Sequence, residues 1–118
     1  MKEFMYLFKD KSPVPSKLSP EEMQKHMQEW GAWMKSLTEA GKMKGGAPLD
    51  VGGKTVSGNK KVVTDGPFAE SKELVGGYLI IQAEDLAEAV ELAKGCPGLS
   101  LAVNTGYVEI RPIKSMGM

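Results

Sequence analysis

At 118 residues, with 42% hydrophobic and 25% charged content, the chain has the make-up of one ordinary globular domain. Fifteen Lys and Arg balance fifteen Asp and Glu, which excludes a global field for holding nucleic acid or an anionic membrane. A single cysteine, Cys96, excludes an internal disulfide and a cysteine metal cluster, and with no signal-peptide pattern or membrane-length apolar run this predicts a cytoplasmic protein.

In chain order, "EFMYLF" (3–8) reads as a strand buried on at least one face, followed by a Pro/Ser loop. "LSPEE" then announces a helix: Ser19 as N-cap, Pro20 at the first helical position and Glu22 completing a capping box. Met23, Met27, Trp30, Met34 and Leu37 recur at spacings of four and three, an apolar stripe read as core packing, with Gly41 as the stop. "KMKGGAPLDVGG" holds a short strand and a loop, and "KTVSGNKKVV" reads as two strands joined by Gly58-Asn59. "LVGGYLIIQA" (74–83) is a strand apolar on both faces, hence central, whose Gly76-Gly77 pair predicts a bulge or a close backbone approach. "EDLAEAVELAKG" forms a second helix with Leu86, Val90 and Ala93 inward, terminated by Cys96-Pro97-Gly98. "GYVEIRPI" (106–113) alternates Val108 and Ile110 against Glu109 and Arg111, a half-buried final strand.

This order predicts a single α+β domain over 1–118: a ferredoxin-like split βαβ sheet with two helices on one face and an inserted β-hairpin. Two helices cover only one face of such a sheet, so the other face calls for a partner, and a second copy of the chain is the simplest.

The stretch "VVTDGPFAES" (62–71) breaks a run of valines with a carboxylate, two backbone punctuators and an aromatic. One reading is structural, with Asp65 accepting bonds from its own turn, Gly66 supplying an unusual φ and Pro67 fixing its neighbour. The other is functional: a rigid turn aims Asp65 into a cleft, Phe68 walls it, and Glu70 and Lys72 reach its mouth. With "GGY" following, "VTDGPFAESKELVGGYLIIQAEDLAEAVELAKGCP" resembles the signature of the YCII-related family in its DGPF-type branch, and the resemblance spans nearly the whole chain. It implies a dimeric α+β barrel, in which two ferredoxin-like sheets pack face to face. It also implies a role in binding or transforming a small molecule, or, among DGPF-type members, an accessory role linked to sigma factors. Some YCII relatives are proposed to use a His–Asp pair. Counting back from Gly41, however, Trp30 stands where that helix histidine lies, so the resemblance does not carry the pair onto His26.

The candidate site residues are therefore Asp65 as base or anchor, and His26, the chain's one histidine, as auxiliary acid. Trp30, Phe68, Glu70, Lys72 and Tyr78 would bind the ligand. The plain alternatives are a boundary histidine without a role and a core tyrosine. Neither a phosphate-binding loop nor a dinucleotide fingerprint is present, one histidine makes a tightly held transition metal or heme chemistry unexpected, and no cofactor is required. The leading expectation is a homodimer binding a small polar metabolite near the DGPF turn. A module acting only through protein contacts in sigma-factor-dependent transcription is the alternative.

Overall fold

The structure is a computed structural model and describes residues 1–10, 19–50, 52–65, 74–100 and 106–115. Four strands form one antiparallel sheet: β1 (Lys2–Asp10), β2 (Met43–Pro48), β5 (Leu74–Ala83) and β6 (Gly106–Pro112), in the order β2-β5-β1-β6. Helices α1 (Pro20–Glu39) and α2 (Leu86–Ala93) cover one face. Among the described residues β3 (Lys54–Ser57) and β4 (Val62–Asp65) pair only with each other, as a separate hairpin. The ferredoxin-like arrangement with an inserted hairpin is thus present.

Period-two alternation decides which face each side chain takes. Phe4, Tyr6 and Phe8 of β1 stand opposite Ile81, Leu79 and Gly77 of β5 and opposite Pro112, Ile110 and Val108 of β6. Of these, Phe4, Tyr6, Phe8, Leu79, Ile81, Val108 and Ile110 meet Trp33 and Leu37 of α1 and Ala89 and Ala93 of α2 in the core, while Pro112 is exposed. Met5, Leu7, Tyr78, Ile80 and Glu109 take the other face, which neither α1 nor α2 covers and where Lys9 and Glu109 form an ion pair at 2.7 Å. The pairing of β1 with β5 slips at Phe8/Lys9, leaving Gly76 as the extra residue of a bulge. A Cβ on Gly77 would lie 3.1 Å from the Ala47 carbonyl oxygen, so both readings of the glycine pair hold.

Three local expectations change. The hairpin closes through four residues, 58–61, with Lys61 N–H donating to the Gly58 carbonyl at 3.1 Å. Gly58 and Lys61 both take positive φ (73° and 55°), whereas a two-residue turn needs that conformation at both central positions, which glycine followed by asparagine supplies less readily than the reverse order. The inner face of α2 is Ala89 and Ala93, flanked by Val90 and Leu92, while Leu86 is exposed. Small residues are needed there because the Tyr6 hydroxyl reaches in to donate to the Ala89 carbonyl at 2.5 Å. In α1 the buried seam starts at Trp30 and runs through Trp33, Met34 and Leu37; Met23 is exposed and Met27 is 66% exposed. Trp33 takes the core place because its ring stacks on Tyr6 at 6.1 Å. No helix among the described residues is long and apolar enough to cross a membrane.

Candidate functional site

The helix α1 starts as its sequence requires. The Ser19 hydroxyl accepts from the Glu22 N–H at 3.1 Å, and the Glu22 carboxylate accepts from the Ser19 N–H at 3.3 Å. Two turns on, His26 and Trp30 stand four residues apart and so share a helix face. The Trp30 Nε1–H donates to His26 Nε2 at 2.7 Å, both side chains being half-buried. With Nε2 occupied as an acceptor, a neutral His26 carries its proton on Nδ1, the ring's remaining donor. Trp30 in turn meets Phe8 edge-on at 5.1 Å and Trp33 at 5.6 Å.

The floor beneath this pair is the corner after α2, where a short 3-10 turn spans Pro97–Ser100. A Cβ on Gly98 would come within 3.2 Å of the Trp30 ring, so a larger residue there would press the indole back by a few tenths of an ångström. Gly95 stands in the same relation to Trp33, at 3.1 Å, and the Trp33 Nε1–H donates to the Leu92 carbonyl at 3.2 Å. Cys96 is buried in this corner, and burial pushes its thiol up to about 11, which leaves it a packing group rather than a nucleophile. Burial likewise pushes the Tyr6 phenol well above its usual range.

Topology gives this aromatic corner its importance. Asp10 at the end of β1 pairs with Leu74, the first residue of β5, and with Gly106, the first residue of β6. Asp10, Leu74 and Gly106 therefore mark one end of the sheet, the end nearest Phe8.

Of the residues read from sequence, His26 and Trp30 are brought together. Asp65 ends β4 and is exposed, and its carboxylate pairs across the hairpin with the Lys54 ammonium. Tyr78 lies on the uncovered face between Leu7 and Ala47, across the sheet from Trp30, so one chain does not place those two rings in a common wall. Gly66, Pro67, Phe68, Glu70 and Lys72 lie outside the described residues. Phe8 and Gly98 were missed. The aromatic run of β1 and the Cys-Pro-Gly corner are the signals that contain them, but neither says which side chain will meet Trp30. A shallow depression of about 850 Å³ at the opposite end of the sheet, lined by Met1, Phe4, Leu86, Pro112 and Lys114 among others, holds none of the candidate residues. Among the described residues no three His, Cys, Asp or Glu side chains gather as metal ligands.

The arrangement offers one imidazole N–H beside an indole and two exposed methionines, Met23 and Met27, on the same helix. Such a surface is suited to a ligand with an acceptor group and an apolar body. Among solved structures the chain is similar to a 5-chloro-2-hydroxyhydroquinone dehydrochlorinase from Burkholderia phenoliruptrix, in complex with 2,5-dihydroxybenzoquinone, at 18% identity and a TM-score of 0.48 over 95% of this chain and 93% of that one. It is 34% identical over 104 residues to an uncharacterized protein of Rhizobium meliloti (strain 1021), covering 85% of this chain and 82% of that protein. The YCII-related domain matches residues 3–117, and the chain belongs to the YCII-related family.

Proposed function

We propose that the chain is a cytoplasmic, homodimeric, DGPF-type member of its family that binds a small polar metabolite at the sheet end marked by His26 and Trp30. The observation that carries this reading is the Trp30–His26 hydrogen bond, which fixes a half-buried imidazole and leaves its Nδ1 as a donor near the sheet end at which β5 begins. In this reading His26 donates to an acceptor on the ligand, Trp30 and the exposed methionines cover its apolar part, and Asp65, Phe68, Glu70 and Lys72 close the site from the other side. The uncovered sheet face, with Leu7, Tyr78 and Ile80, supports the homodimer.

The test is a thermal-shift screen of wild type, His26→Ala and Asp65→Asn against small carboxylates, phosphates and phenols. A ligand at a hundredfold excess over its dissociation constant adds about 2.7 kcal/mol of apparent stability. For a domain of this size that raises Tm by roughly 5–10 °C. A selective rise in wild type that both folded variants lose is the expected result. Equal shifts in all three proteins would place binding elsewhere, and silence across the panel would turn the reading toward a module acting through protein contacts.

A further inference from the structure

The depression at the far end of the sheet, of about 850 Å³, combines an apolar lining with two cations that the fold leaves uncompensated. Phe4, Leu86, Pro112 and Ile113 line it, and Leu86, the first residue of α2, is 48% exposed. Strand register sets the cations. Phe4 of β1 stands opposite Pro112 of β6, and just beyond them the Ile113 N–H donates to the Glu3 carbonyl at 2.9 Å. One step further along the same ladder Lys2 faces Lys114, and both take the side of the sheet that Phe4 and Pro112 take. Because Glu3 and Ile113 are joined by that hydrogen bond, the lysines form the closer kind of pair, with Cα atoms about 4.5 Å apart. Like charges directly opposite each other destabilise a ladder. Among the described residues neither lysine has an ion-pair partner. Glu3, the one carboxylate among the described residues of the lining, alternates to the other face of the sheet. At the start of α2, Asp85 accepts from the Glu88 N–H at 2.9 Å, and Glu88 accepts from Lys42 at 2.8 Å.

We propose that this depression is a second binding site, for a small organic carboxylate with an apolar body. The two ammoniums converge on the carboxylate oxygens, and the body lies over Phe4, Leu86 and Pro112. The bound anion offsets the repulsion that the register builds into the lysine pair. An apolar lining gives an inorganic anion nothing to rest on, and a concave surface of this volume suits one small molecule better than a bilayer. The site shares no residue with the His26–Trp30 corner and stands independently of it.

The test is a two-dimensional NMR titration of wild type, Lys2→Gln/Lys114→Gln and Leu86→Ser with octanoate below its micelle concentration, and with 1-octanol as the uncharged analogue. All three substituted residues are exposed, so the variants keep the fold, which circular dichroism checks. Octanoate is expected to give saturable shifts at the Phe4, Leu86 and Ile113 amides of wild type. Affinity should fall at least about tenfold in the glutamine variant, and should fall in Leu86→Ser as well. With its like charges removed, the ligand-free glutamine variant should melt no lower than wild type. A glutamine variant that binds octanoate like wild type, octanol bound as tightly as octanoate, or no saturable shift at this end overturns the site. Shifts confined to His26 and Trp30 overturn it too, while leaving the other site standing. Adhesion to anionic vesicles without octanoate binding would make the patch a membrane contact and overturn the pocket.

Discussion

Tyr6 and Trp33 send their polar atoms to backbone carbonyls of α2, whereas Trp30, one turn nearer the helix start, finds its acceptor in a side chain of its own helix. That difference makes His26 a structural partner as well as a candidate ligand group. His26→Leu removes the acceptor and leaves a half-buried indole N–H unpaired, at a cost of about 1–2 kcal/mol. The expected results are a melting point lower by several degrees and a displaced Trp30 indole N–H resonance; a resonance that stays in place would show that the bond does not hold the ring. The pairing was legible only as an i, i+4 spacing. The sequence placed Trp30 on the inner face and His26 at its border, but it could not choose between Leu92, which serves Trp33, and His26 as acceptors. Asp65 has a partner that spacing alone does not show: Lys54, eleven residues back across the hairpin, at a register that depends on the four-residue loop.

At the scale of elements, local signals served best where a backbone need has one chemical answer. The capping box of α1 and the bulge at Gly76 follow from Ser-Pro-Glu-Glu and Gly-Gly because few other residues meet those demands. Which side of a helix faces inward depends on its neighbour, and there periodicity fell short. The second helix buries alanines because a tyrosine from β1 occupies the space between them. The same helix is tied to the start of β2 by Lys42, whose ammonium donates to the Glu88 carboxylate at 2.8 Å. That bond, with the Glu84 N–H, holds the Glu88 carboxyl below its usual range. Because the folded value is the lower one, the contribution is fully present above the unfolded value of about 4.3 and disappears as pH falls through the folded value. Glu88→Gln is therefore expected to melt below wild type at pH 7, with the gap closing in acid. A gap that is the same at pH 3 and pH 7 would show that charge is not its cause.

Taken whole, the molecule is a slab of 47 × 45 × 19 Å with a Cα radius of gyration of 16.1 Å. A compact chain of this length would have about 13.5 Å. The excess fits a hairpin that reaches outward and a sheet with one bare face. X-ray scattering at a dilution where the chain sediments as a single copy is expected to give a radius near 16 Å; a value near 13.5 Å would mean that the hairpin folds back on its own sheet. The sheet, its helices and the bare face were legible from the order of elements, since two helices cannot cover two faces. The isolation of the hairpin was not, because nothing in "KTVSGNKKVV" distinguishes strands that join a sheet from strands that leave it.

The chain has two tryptophans, and both lie in the one corner where α1 meets Gly95 and Gly98. All of its indole fluorescence therefore arises at a single end of the sheet, from one buried emitter and one half-buried emitter whose N–H rests on an imidazole. The protein thus carries its own optical reporter at the place where a ligand would enter: emission is set to register occupancy or loosening of that corner, and to stay silent about events at the hairpin or at the far end of the sheet.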